Sequence, residues 1–351
     1  MSKRIVIMAG GTGGHVFPAL AVANYLMEQN WQLSWIGTRK GMESRVIPQN
    51  KIQIDWLSVN GLRGKGTLEL FKMPWMLVKA CLEARKILQQ RQPDVVLGMG
   101  GFVAGPGGLM AKLMGIPLVI HEQNRIPGTT NRLLARMANK VLEAFPESFP
   151  VVKKAIFTGN PLRKEFMQVT NKLARNPSDK LNILVIGGSL GAQRLNEVVP
   201  ATLAMQEKVT VWHQTGTAML EQVTEVYTDK AITAKVEPFI EDVVAAYTWA
   251  DLVICRAGAM TISEVAAMEV PSILIPYPYA IDDHQTANAQ YLVDAGAGIL
   301  IPQEQLTVDL LATTIKQQIT RLGDMAVAAR QCAKLDATEK VAEQCMLEAA
   351  V

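Results

Sequence analysis

Ile5-Val6-Ile7-Met8, then Gly10-Gly11-Thr12-Gly13-Gly14, then Pro18 with Ala19, Leu20, Ala23, Leu26 and Met27 at helical spacing: this stretch reads strand, glycine loop, helix. The β-branched run suits a strand. Pro18 marks a helix start, where its missing N–H would be unpaired anyway. The same grammar returns 177 residues further on. There Asn182-Ile183-Leu184-Val185-Ile186 precedes Gly187-Gly188-Ser189-Leu190-Gly191 and a helical stretch with Leu195, Val198 and Val199. One such unit means little. Two, each opening about half of the chain, predict an α/β protein of two similar doubly wound domains.

Working outward, Asp94–Gly98 and Pro117–His121 read as strands around a helix near Leu109–Met114. In the second half, Thr210–His213, Leu252–Cys255 and Ser272–Pro276 are short continuous apolar runs. Continuous rather than alternating apolar character fits a parallel sheet covered on both faces. The polar stretch Arg175–Lys180, with Pro177, reads as a linker, and the chain from Asp324 onward is helical in composition.

The 351 residues suit two domains. With 49% hydrophobic and 19% charged residues the chain is not disordered. Four dispersed cysteines without a C-x-x-C pair argue against a disulfide scaffold or structural zinc and point to a reducing compartment. The five-residue apolar start is too short for a signal peptide core, and no run of about 18 apolar residues spans a membrane. Charge is split. Residues 1–160 hold 20 Lys+Arg against 9 Asp+Glu, a net +11, and residues 161–351 hold 15 against 23, a net −8. The basic half points to an anionic partner, although nothing in it resembles the aromatic signatures of RNA-binding modules, so nucleic acid is not expected.

Glycines after a strand let backbone N–H groups approach a phosphate, and the following helix adds its positive end. Three such clusters occur: Gly10–Gly14, Gly98–Gly108 and Gly187–Gly191. Any one serves tight packing equally well, but together they point to a phosphate or sugar-phosphate ligand. It is not a dinucleotide. Val16 stands where the third glycine of G-x-G-x-x-G belongs, and no acidic residue ends Leu33–Thr38. The P-loop pattern is absent too. His15 follows the first loop, and an imidazole beside a bound anion is a candidate general base. His121-Glu122-Gln123-Asn124 follows a strand end, where ligands of open α/β sheets bind. Arg256–Glu264 reads as a loop and helix start suited to a diphosphate, with Glu264 one turn in and able to accept from a ribose diol or simply to cap the helix.

Read in order, Gly-Gly-Thr-Gly-Gly-His15, Gly98–Gly108, His121–Asn124, Gly159-Asn160-Pro161, Gly187–Ala192 and Ser263-Glu264 resemble the MurG family of bacterial N-acetylglucosaminyltransferases over nearly the whole chain. The resemblance implies a GT-B fold, two Rossmann-like domains facing across a cleft. The domains would be residues 1–160 and 161–336, with a final helix at about 337–351 returning to the first. It implies inverting transfer of GlcNAc from UDP-GlcNAc to the 4-hydroxyl of lipid-linked N-acetylmuramoyl-pentapeptide in peptidoglycan synthesis, without a cofactor or metal.

Carried over, the donor site holds Thr12, Gly13, Gly14 and Asn124 from the first half. From the second it holds Arg163, Ser189, Phe239, Ile240, Ala259, Met260, Thr261, Ile262, Ser263, Glu264 and Gln285. Ile240 would offer backbone groups to the uracil with Phe239 beside it, Glu264 would bind the ribose, and Ser189 with the Ala259–Ser263 helix start would hold the diphosphate. His15 is the expected base, with Glu122 and Asn124 as alternatives. Around Gln285 the chain departs from the family, carrying His284 in place of a second glutamine.

A polyprenyl acceptor brings the enzyme to a membrane. Leu77, Cys81, Ala84 and Leu88 read as the core stripe of a helix. Trp75, Met76, Val78 and Leu82 lie on other faces, interleaved with Lys72, Lys79, Arg85 and Lys86, and Phe71 precedes them. Such a face suits an anionic lipid surface, here the cytoplasmic side of the inner membrane, with cell-wall synthesis proteins as further partners. A UDP-GlcNAc epimerase of similar fold and a non-catalytic nucleotide-sugar-binding subunit are the alternatives. Both would lack acceptor-dependent UDP release.

Overall fold

The structure, a computed structural model, describes residues 2–59, 67–149, 155–167, 180–188 and 191–350, and for 67–73 the helical backbone alone. It divides into two compact units, Met1–Arg163 with Lys334–Val351, and Lys164–Ala333. The first unit's sheet holds β1 (Arg4–Met8), β2 (Gln32–Gly37), β3 (Gln53–Trp56), β4 (Val95–Gly98), β5 (Leu118–Glu122), β6 (Lys140–Glu143) and β7 (Ile156–Phe157), in the order β3-β2-β1-β4-β5-β6-β7. The second holds β8 (Leu181–Ile186), β9 (Val209–Gln214), β10 (Ala234–Glu237), β11 (Leu252–Cys255), β12 (Ser272–Leu274) and β13 (Gly298–Leu300), in the order β10-β9-β8-β11-β12-β13. Every pairing is parallel among the described residues. This is the doubly wound order in both units, with switch points between β1 and β4 and between β8 and β11.

The uninterrupted apolar strands have a direct cause. Ile5 and Ile7 of β1 enter one core cluster, while Val6 and Met8 enter another on the opposite face. The Ile5 cluster is completed by Val341, Ala342, Cys345 and Ala349 of the helix Ala337–Ala349, which packs on the helix Gly13–Glu28. The first unit runs on past residue 160 because Leu162 is buried and its carbonyl accepts from the Thr338 hydroxyl at 3.1 Å. Arg163, expected in the second domain, is therefore the last residue of that segment.

Three local expectations change. The first helix starts at Gly13, not Pro18, which lies buried inside it. Thr12 initiates it, with extended backbone (φ −104°, ψ 162°) and a carbonyl that accepts from the His15 and Val16 N–H groups. His15 thus lies in the first turn of a helix. The expected Leu109–Met114 helix spans Ala104–Leu113, so Gly105, Gly107 and Gly108 are helical. Gly107 and Gly108 are packing residues rather than a phosphate cradle, because Cβ atoms there would strike Met8 and Leu134. In the helix Thr67–Arg91 the buried stripe is Ala80, Ala84, Ile87 and Leu88, while Leu77 is exposed and Cys81 only half-buried. Small residues win these positions because the helix runs against Gly- and Ala-rich Ala104–Leu113. Of the expected linker, 175–179 lies outside the described residues.

Candidate active site

In the first unit the chemistry collects at the carboxyl ends of β1, β4 and β5. The Met99 N–H donates to the Met8 carbonyl at 2.9 Å and ties the first two ends together. Gly100 has φ +95°, and a Cβ there would lie 2.9 Å from His15 Nδ1, so only glycine lets this loop press on the imidazole. Gln123 Oε1 lies 2.8 Å from His15 Nδ1. Gln123 Nε2 lies 3.1 Å from Nδ1 of His121, and His121 Nε2 lies 2.9 Å from the Gly159 carbonyl. Asn160 Nδ2 donates to the Gln123 carbonyl at 3.1 Å, so Gly159-Asn160-Pro161 serves to hold this line. His121 is fully buried, and burial lowers its pKa to about 4.

Glu122 is not placed to act as a base. It is 1% exposed, and its carboxylate accepts from Asn124 N–H (3.0 Å), Asn124 Nδ2 (3.2 Å), Gly128 N–H (3.0 Å) and Asn131 Nδ2 (2.9 Å). These bonds commit it to shaping the loop that presents Asn124. Sequence reasoning missed Glu43. This fully buried carboxylate accepts from Gly11 N–H at 3.0 Å and from Thr38 N–H and Oγ1 at 2.8 Å each. The signal for it was the glycines: Cβ atoms at Gly10, Gly37 and Gly41 would all strike its side chain.

In the second unit the site forms around the switch point between β8 and β11. Gly258 caps the helix Ala259–Ala267, whose first turn (Ala259, Met260, Thr261, Ile262) carries no acidic residue. The Ile262 N–H closes the first turn on the Gly258 carbonyl at 3.0 Å, and a helix start of this kind suits an anion. Beside it, buried Arg256 donates to the Ile275 (3.1 Å) and Pro276 (3.0 Å) carbonyls and to Gln303 Oε1, with its guanidinium 5.5 Å from the Tyr277 ring centroid. All three acceptors are neutral, and burial lowers the arginine's pKa from its ordinary value. Ser263 Oγ turns back to the Ala259 carbonyl at 3.1 Å. Glu264 is half-buried and accepts from the Tyr247 hydroxyl at 3.3 Å.

Gln285 stands in the first turn of the helix His284–Asp294, and its Oε1 accepts from Ala257 N–H (3.2 Å) and Tyr277 N–H (2.9 Å). Its oxygen therefore pins two strand-end loops. Ile240 differs from expectation. Its N–H donates to Gln214 Oε1 at 3.0 Å and is thus already engaged within the unit, with Phe239 exposed beside it. Gln214, also missed, donates through Nε2 to the Gly188 carbonyl at 2.7 Å and so links the glycine loop to Ile240. Ser189 lies outside the described residues, and Arg163 is exposed.

On the helix Thr67–Arg91, Trp75, Val78, Lys79, Leu82 and Lys86 are exposed and spaced to share one face. Trp75 is 78% and Leu82 61% exposed, Met76 is half-buried, and Lys79 lies 3.8 Å from Glu83. The side chains of Phe71 and Lys72 lie outside the described residues. No helix among the described residues is long and apolar enough to cross a membrane.

Two family models match the chain, the Glycosyltransferase family 28 N-terminal domain over residues 5–143 and the Glycosyltransferase family 28 C-terminal domain over residues 182–345. The chain belongs to glycosyltransferase family 28. The N-terminal model spans the His15 and Gln123 cluster, and the C-terminal model spans Arg256 and Glu264. A family 28 relative from Methylococcus capsulatus, a UDP-N-acetylglucosamine–N-acetylmuramyl-(pentapeptide) pyrophosphoryl-undecaprenol N-acetylglucosamine transferase, is 57% identical over 354 residues, covering 99% of each chain. The crystal structure of Acinetobacter baumannii MurG is 41% identical, with a TM-score of 0.88 over 98% of this chain and 99% of that one. With it, the fold is GT-B. A Neisseria meningitidis UDP-GlcNAc 2-epimerase shares that fold at a TM-score of 0.66 with 13% identity, over 98% of this chain and all of that one. Fold alone therefore does not separate transferase from epimerase. Full-length identity does.

Proposed function

We propose that this glycosyltransferase moves GlcNAc from UDP-GlcNAc to the 4-hydroxyl of an N-acetylmuramoyl-pentapeptide carried on a polyprenyl diphosphate, the step that makes lipid II from lipid I. The observation that carries the reading is the full-length likeness to a transferase so named. The acceptor O4–H gives its proton to His15 Nε2. O4 bonds to the anomeric carbon from the face opposite the diphosphate, and the carbon–oxygen bond to UDP breaks with its electron pair leaving on the diphosphate. The configuration inverts. The leaving charge meets the start of the helix Ala259–Ala267 and the buried Arg256 cation, an electrostatic arrangement that needs no rearrangement during reaction.

Glu264 accepts from the ribose diol, Ile240 offers its carbonyl to the uracil, and Gln285, Ser189 and Arg163 complete the donor contacts. Because the first loop carries the Glu43 carboxylate, Thr12, Gly13 and Gly14 suit neutral sugar hydroxyls rather than phosphate. Asn124, held by Glu122, is a sugar contact. The exposed face of the helix Thr67–Arg91 meets anionic lipid at the cytoplasmic surface of the membrane, supported by Trp75 and Leu82 among Lys79, Arg85 and Lys86.

The test is UDP release from UDP-GlcNAc with and without a short-chain lipid-linked acceptor, with UDP-GalNAc run alongside. Acceptor-dependent release selective for UDP-GlcNAc is expected. C2 epimerisation of UDP-GlcNAc without acceptor would instead make it an epimerase.

A further inference from the structure

The hydrogen-bond line behind His15 has a direction, and one backbone carbonyl sets it. A carbonyl oxygen only accepts, so His121 Nε2, 2.9 Å from the Gly159 oxygen, carries the proton. Burial keeps the His121 ring neutral, so its Nδ1 is a lone pair that needs a donor. Gln123 Nε2 is that donor at 3.1 Å, and the same NH2 reaches the His121 carbonyl at 3.3 Å, a second acceptor. Both contacts fix which end of the amide is nitrogen. The amide oxygen then faces His15 Nδ1 at 2.8 Å, and an oxygen that accepts requires Nδ1 to donate. A neutral imidazole has one N–H, so Nε2 of His15 is the lone pair.

We propose that Gln123 and His121 are positioning residues that lock His15 in its Nδ1–H form, leaving Nε2 free to take a hydroxyl proton. The proposal rests on the reading of His15 as the base. The line is rigid as well as directed. Gln123 is 1% exposed, and its backbone is held by Asn160. A neutral amide fixes the tautomer without adding a charge that would retain the proton on the ring once it arrives. In solution the Nε2–H form of histidine predominates, so the protein reverses the intrinsic preference.

The experiment is NMR of the ring nitrogens in full-length 15N-histidine-labelled protein, at a pH where the imidazoles are neutral. With four histidines in the chain, the His15 signals are identified by their loss in His15→Gln. The wild-type ring is expected to be protonated at Nδ1. Gln123→Met is expected to move the proton to Nε2 and to lower kcat at least about tenfold, with the donor KM within about twofold. A wild-type His15 protonated at Nε2 overturns the proposal without recourse to any variant. So does a Gln123→Met protein that keeps the Nδ1–H form. The base reading fails by a different result, undiminished turnover in His15→Ala, which leaves the measured tautomer unaffected.

Discussion

Both units place a glycine loop after their first strand and a second loop across the same switch point, yet the loops carry opposite electrical character. In the first unit the Gly11 N–H is bound to the buried Glu43 carboxylate. In the second the neutral Gln214 amide holds the Gly188 carbonyl, and across the switch point lies the buried Arg256 with neutral acceptors. One topology supplies two crevices. In the proposed reaction, the buried side chains Glu43 and Arg256 separate the crevice that takes the diphosphate from the one that positions the base. The buried histidines repeat the contrast. His121 leads outward through Gln123 to His15, whereas His213 on β9 ends internally, accepting from the Tyr227 hydroxyl and donating to Asn196 Oδ1.

The largest expected effect falls on the first unit. His15→Ala lowers kcat by about 10²–10⁴-fold with little change in donor affinity, as befits a group acting in the transition state. Steady-state kinetics with parallel donor titrations check this, and equal losses in both would make His15 a binding residue. In the second unit, Glu264→Ala raises the donor KM by about 10–100-fold, the worth of charge-assisted hydrogen bonds at about 1.5–3 kcal/mol, and leaves the acceptor KM alone. A matching rise in the acceptor KM would blur the division of labour. Trp75→Ser combined with Leu82→Ser lowers partition onto anionic vesicles by about tenfold or more in sedimentation, since each apolar side chain is worth about 1.5–3 kcal/mol when fully buried. Unchanged partition would remove this face from the membrane.

Both units bury a neutral histidine, His121 in the first and His213 in the second. Burial lowers His121 to about 4 and His213 to about 3 from an ordinary 6.5. Below about pH 6.5 the unfolded rings take up protons that the folded rings refuse, so this stability is complete above that pH and drains as pH falls. Each ring contributes a loss of about 1.4 kcal/mol per pH unit, ending near pH 4 for the first unit and pH 3 for the second. Denaturant unfolding at pH 7 and pH 5 measures it, and equal stabilities would mean that these rings are not held neutral.

The central strands were legible because burial on both faces makes them continuous apolar runs, as in Ile183–Ile186 and Leu252–Cys255. The strands away from the sheet centres were not. Gln53–Trp56, Lys140–Glu143 and Ala234–Glu237 mix charges into four residues because they lie toward the sheet margins. Motif order singled out His15, Asn124 and Glu264 as candidates. It did not reveal Glu43 or Gln214, because the Gly11, Gly188 and Ile240 backbone groups they hold are distant in sequence. It also misread Glu122, since a polar residue at a strand end looks the same whether it faces a ligand or braces its own loop.

The helix Ala337–Ala349 has a consequence for how the chain is made. It fills the core beside Ile5, Val16 and Leu20, so the first unit is completed by residues translated after the whole of the second. The second unit is one continuous segment, Lys164–Ala333, and has all its parts earlier. At about 5–20 residues per second, the first 163 residues wait roughly ten to forty seconds for the helix that completes their core. During synthesis the later-encoded unit therefore has its parts first, and a ribosome that stalls within the helix Ala337–Ala349 leaves the first unit's core unfinished.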